Sequence, residues 1–155
     1  MKGHTLLEIL IVLGLFTVIF TATSLNLLGA RSKTSLGTSV DVLLADLRAQ
    51  QTKAMSGDTG GGGTNVNFGI HFLSNSYVLF KNTYSASDPY NYSVNLDDVK
   101  IDTTFSGSEI IFLKGSGEVS GYNPVANTIR LTSLSSSGSP KIITINRFGV
   151  IISVN

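Results

Sequence analysis

Apolar residues run almost without a break from Ile9 to Leu28, then recur at every third or fourth position, then alternate with polar ones. Each pattern predicts a different structure. The 22 residues from Ile9 to Ala30 carry no charge. As a helix they would extend about 33 Å, enough to cross a bilayer core of about 30 Å. Leu36, Val40, Leu43, Leu44, Leu47, Ala54 and Met55 then recur at helical spacing and mark one apolar face. Gly57 follows the last of them as a helix stop. Beyond it, Val66, Phe68, Ile70 and Phe72 alternate with Asn67, Gly69 and His71, which is strand periodicity. A turn at 73–76 returns the chain as a second strand over 77–81. Further strands are expected at 92–96, 110–113, 128–134, 142–145 and 150–154. Gly115-Ser116-Gly117 and the segment 135–140 supply turn chemistry between them. The expected fold class is α+β. A long N-terminal helix, its first half membrane-spanning, packs on an antiparallel β-sheet or small β-sandwich.

The boundaries that follow are an apolar first segment ending at residue 30, 31–57 for the amphipathic half and 58–155 for the β-domain. No second domain or internal repeat is evident in the 155 residues, and mean hydropathy is +0.26. That value, with 14% charged residues, excludes a disordered chain. The absence of cysteine excludes a disulfide framework, a thiolate metal site and a cysteine nucleophile. The net charge of +1 gives no general case for an acidic partner. Charge is uneven, however. Lys2 and Glu8 are the only charged residues before Arg31. Lys2 ahead of the apolar run is compatible with either a removed signal peptide or a retained anchor. The run is long for a signal, and a carboxylate at its entrance needs a partner or the interface. No proline occurs before Pro89, so any kink or melting of the helix should fall near Thr21 to Asn26 or at Gly29.

The entrance itself reads Met1-Lys2-Gly3-His4-Thr5-Leu6-Leu7-Glu8, followed directly by the apolar run. It resembles the processing signal of type IV pilins and of the pseudopilins of type II secretion. Gly3 matches the last residue of the leader, and Thr5, Leu6 and Glu8 match their family positions; His4 stands where phenylalanine is usual. The resemblance implies a leader of residues 1–3, a transmembrane and filament-core helix over 4–30, cleavage between Gly3 and His4 by a prepilin peptidase, and N-methylation of His4. It also implies a single-pass protein of the cytoplasmic membrane, held there from Ile9 to Leu28, that assembles with other pilins or pseudopilins into a filament. Elementary chemistry agrees. Cleavage would leave a cationic amine, with an ordinary pKa of about 7.7–8, four residues from Glu8. That amine would pair with the Glu8 carboxylate of the same chain or of a neighbour. On its own, Glu8 also suits the positive end of a helix. Downstream, Ile110-Ile111-Phe112-Leu113-Lys114-Gly115, Asn127 to Leu131, and Lys141 to Ile145 with Arg147-Phe148-Gly149-Val150 are similar to the minor, H-type (GspH/FimT-like) pseudopilins. The segment 44–50 looks like the helix of that group.

Other chemistry finds little support. The glycines at 60–63 read as a joint, because no Lys-Ser/Thr follows to complete a phosphate loop. His71 reads as a solvated strand residue, and no histidine pair marks a zinc site. Asp97, Asp98 and Asp102 match no calcium-loop spacing, so neither a metal nor a cofactor is expected. No serine stands in a nucleophile elbow, and an enzyme is not expected. Lys141, Arg147 and Arg130 make too thin a basic patch for nucleic acid to be an expected partner. Tyr84, Tyr90 and Tyr92 suggest either an exposed contact surface or rings partly buried on the sheet. The expectation is therefore a filament subunit. A solitary anchored β-domain acting as adhesin or ligand binder is the alternative from another class, beside a DNA-uptake pilin and an exported hydrolase.

Overall fold

The fold was analysed in a computed structural model, which describes residues 6–135 and 138–155. Within the long helix, side chains are described for 6–21 and 35–56. Helix α1 (Leu6–Ser56) is followed by β1 (Phe68–Phe72), β2 (Ser76–Lys81), β3 (Tyr92–Asn95) and β4 (Val99–Thr103). Then come β5 (Glu109–Phe112), β6 (Thr128–Ser133), β7 (Lys141–Ile145) and β8 (Ile151–Val154). The strands form two four-stranded sheets, in the orders β3-β2-β1-β5 and β4-β6-β7-β8, with every pairing antiparallel.

The expected architecture needs correction. Of the described helical stretches only 35–56 lies against the sheets, while every residue from 6 to 21 is exposed. Among the described residues no helix is long and apolar enough to cross a membrane. The stretch 6–21 extends about 24 Å, short of the roughly 30 Å of a bilayer core. The sequence reached a longer span by counting on through residue 30, and the side chains of 22–34 lie outside the described residues. The long helix with a membrane-spanning half packed on a sheet, and the single-pass placement in the cytoplasmic membrane, are both withdrawn on this finding. The positions given for a kink, Thr21 to Asn26 and Gly29, lie within the continuous helix Leu6–Ser56, and apart from Thr21 their side chains are outside those described.

The second stretch of α1 buries the stripe that periodicity marked. Leu36, Val40, Leu43, Leu47 and Ala54 are buried, Leu44 is half-covered, and Met55 is exposed. They rest chiefly on β1 and β6, so the helix serves as the common cover of both sheets. Ile70, Ile110 and Phe112 meet it from the first sheet; Val99, Ile101, Ile129, Leu131, Ile143 and Ile145 complete the core from the second. The helix ends as its sequence requires. Gly57 takes the left-handed conformation (φ 73°), and the Asp58 N–H donates to the Lys53 carbonyl at 3.1 Å. Glycine accepts that φ without a Cβ penalty, and the bond satisfies a carbonyl left over at the helix end.

Candidate functional site

Of the processing and assembly residues, Gly3, His4 and Thr5 lie outside the described residues. Leu6 and Glu8 stand in the first turns of α1, both exposed. Leu6, at 82% exposure, opens an apolar surface that continues through Leu10, Leu13, Phe16 and Phe20. It runs all the way round this stretch of helix, as Leu7, Ile11, Leu15 and Val18 show. Monomeric soluble proteins rarely leave so large a contiguous apolar area uncovered, and such areas mark association sites. Thr17 and Thr21 do not break the surface, because their hydroxyls donate back to the carbonyls of Leu13 and Thr17 at 2.8 Å.

Where the helix meets the body, polar groups fix its position. The fully buried Tyr77 of β2 donates its phenol to Asp46 Oδ2 at 2.5 Å. Burial, and then the hydrogen bond and negative charge of Asp46, hold the phenol well above the usual tyrosine range. One turn further on, Gln51 Nε2 donates to the carbonyls of Gly117 and Phe148, at 3.1 and 2.6 Å. The helix thereby grips two turns at once. Glycine is required at both. A Cβ on Gly117 would lie 2.5 Å from Met55 Cγ, and one on Gly149 would run into Gln51 Nε2. Gly117 and Gly149 also have positive φ, 70° and 73°.

Beside this junction lies a cleft of about 440 Å³ between the flank of α1 and the outer strands of the first sheet. It exists because the helix crosses β1 and leaves β2 and β3 overhanging. Pairing places Ile70, Leu79 and Tyr92 side by side across three strands; the first is buried under the helix and the last is 66% exposed. Lys81 forms one wall. Its Nζ donates to the Gly60 carbonyl at 2.7 Å and sits 3.3 Å from the centre of the Tyr90 ring. Lys53 lies over Phe68, 5.8 Å from its ring centre. Asp58 lines the cleft too, with its Oδ1 accepting the Gly60 N–H at 2.8 Å. Gln50 also lines it; this residue is 2% exposed, and its Oε1 accepts no hydrogen bond. A buried amide oxygen without a donor costs about 1–3 kcal/mol. Sequence reasoning missed Gln50, yet a signal was present: steps of three and four from Leu43 and Leu47 fall next on Gln50 and then on Ala54.

The remaining candidates separate. His71 is not simply solvated: its ring stacks on Tyr84, with centres 3.9 Å apart and planes 8° apart, and Nδ1 lies 3.9 Å from Glu109 Oε2. Of the three tyrosines, Tyr84 thus packs on the outer face of the first sheet while Tyr90 and Tyr92 reach the cleft. The three aspartates do separate structural work. Asp97 gives its carbonyl to Ser35 Oγ at 3.0 Å, Asp98 accepts from Ser135, and Asp102 pairs with Lys100 at 2.8 Å. Among the described residues no group of histidines and acids is placed to hold a metal ion. Arg147 pairs with Glu118 at 3.3 Å and Arg130 stands opposite Asp102 across the second sheet, while Lys141 is exposed at the start of β7. No protein-family model, curated protein or solved structure matches this chain.

Proposed function

We propose that this chain is a structural subunit of a filament of the type IV pilus or type II secretion kind, a minor pilin or pseudopilin, cut by a prepilin peptidase and assembled through its N-terminal helix. One observation carries the reading. The Gly3-His4-Thr5-Leu6-Leu7-Glu8 sequence leads directly into a helical stretch, 6–21, exposed along its whole length and apolar on every side. An apolar rod joined to a compact body suits a subunit whose rods bundle while its bodies face outward. Its partners are then the peptidase and other subunits. In the bundle, Glu8 would neutralise the new amine of His4 and set the register of one rod against the next. The role asks no catalysis of the chain itself.

The test is the N-terminus of the protein isolated from its own host, by intact mass and sequencing. The expected chain begins at His4, with or without one added methyl group. A chain beginning at Met1, or near Arg31, would overturn the proposal. Glu8→Ala is expected to leave the body folded and filament incorporation lost; normal incorporation of that variant would remove Glu8 from the assembly role.

A further inference from the structure

We infer that the cleft between α1 and the β2–β3 overhang is a binding site for a neutral saccharide. This inference does not rest on the filament role, since it concerns a face of the body remote in sequence from the 6–21 stretch. Three features point to the ligand's chemistry. Tyr90 and Tyr92, 65% and 66% exposed, border the cleft with broad ring surfaces. Rings of this kind offer an apolar platform beside a polar tip, and the C–H face of a pyranose stacks on such a platform. Gln50 supplies the second feature. The residue lines the same space and is 2% exposed, and its enclosed Oε1 lacks a donor; turning the amide would bring that oxygen to a ligand hydroxyl. A hydroxyl serves whichever way the amide is turned, because it both donates and accepts.

The third feature is the disposition of charge. Two lysines line the cleft, yet Lys81 is already held by the Gly60 carbonyl and the Tyr90 ring, and Lys53 lies over Phe68. Asp58 places a carboxylate in the same lining. An anionic ligand would meet one lysine already held by a carbonyl and a ring and, in Asp58, one repelling carboxylate. A purely apolar ligand would leave Gln50 unpaired. A ligand with an apolar face and hydroxyl edges satisfies both. The cleft's volume falls within the range of small-molecule sites, and the anchoring of Lys81 fixes its wall before any ligand arrives.

The experiment presents the full chain to an immobilised array of neutral and acidic oligosaccharides, then measures affinity for the retained members by calorimetry. Variants Tyr92→Ala, Gln50→Leu and, away from the cleft, Lys100→Ala are compared, with circular dichroism and thermal melting reporting the fold of each. Retention of neutral members is expected. Tyr92→Ala and Gln50→Leu should each weaken binding roughly tenfold or more, and Lys100→Ala should leave it unchanged. The inference is overturned by an array that retains nothing, by retention of acidic members alone with loss in high salt, or by binding that survives in both folded cleft variants. None of these results bears on where the N-terminus is cut, so the two readings fail separately.

Discussion

Tyr77 keeps its proton in the folded chain at pH values where an unfolded tyrosine loses it. Burial comes first among the causes, followed by the hydrogen bond and the charge of Asp46. An unfolded tyrosine ionises near pH 10. Above that pH the unfolded chain binds fewer protons than the folded one, so stability falls with rising pH by about 1.4 kcal/mol per unit. Below it the group contributes no slope. Denaturant titrations from pH 8 to 11 are expected to show this loss beginning at about pH 10. Tyr77→Phe should remove most of the slope, while lowering stability at neutral pH by about 1–2 kcal/mol through the donor Asp46 loses. An unchanged slope in the variant would assign the titration to another group. Backbone conformation sets a second limit at single residues. Gly149→Ala forces a left-handed φ on alanine and drives its Cβ into Gln51 Nε2, with Gly117 O only 3.0 Å away. A cost of about 1–3 kcal/mol is expected in equilibrium unfolding, and a neutral result would mean that the grip of α1 on this hairpin is slack.

At the scale of elements, the described buried face of α1 is apolar except at Ser39 and Gln50. Exchanging that amide for an alkyl chain of similar size removes an unsatisfied polar atom and keeps the packing. Gln50→Leu is therefore expected to stabilise the chain by about 1–2 kcal/mol, which thermal melting would register as a rise of about 2–4 °C for each kcal/mol. A fall in melting temperature would mean that the amide is satisfied in solution. The same helix shows what periodicity can and cannot reveal. Its apolar stripe was legible because each step of three or four lands on Leu or Val from Leu36 to Leu47. Seven strands were legible from alternation and glycine turns, and they lie within a residue or two of the expected bounds. β4 was not. Val99 and Ile101 alternate with Lys100 and Asp102, but the run is short and carries as many charged residues as apolar ones. The cleft was illegible for a different reason. It arises where the helix crosses β1 and leaves β2 and β3 overhanging, and no local pattern encodes where that crossing falls. Only its tyrosines were noticed, as a surface without a place.

The whole molecule divides mechanically between a body closed by its own contacts and a helical stretch that the body does not cover. Leu43, Leu47, Ile70, Ile129 and Ile143 are buried within the body, and none of the residues 6–21 joins that core. Removing the exposed stretch should consequently leave the body intact. A chain beginning at Ser35 keeps every described helical residue that packs on the sheets, including Asp46 and Gln51 with their bonds to Tyr77, Gly117 and Phe148. Its denaturant midpoint is expected to match that of the full chain in dispersing detergent, and sedimentation should find it monomeric. The full chain without detergent should associate, because its apolar side chains are otherwise left in water. Two outcomes would contradict this division. An unfolded fragment would show that residues before Ser35 stabilise the body, and a monomeric full chain would show that the 6–21 surface is not an association surface. A folded monomeric fragment beside an associating full chain would confine self-assembly to the helix, and Glu8→Ala could then be tested in that assembly without disturbing the cleft on the body.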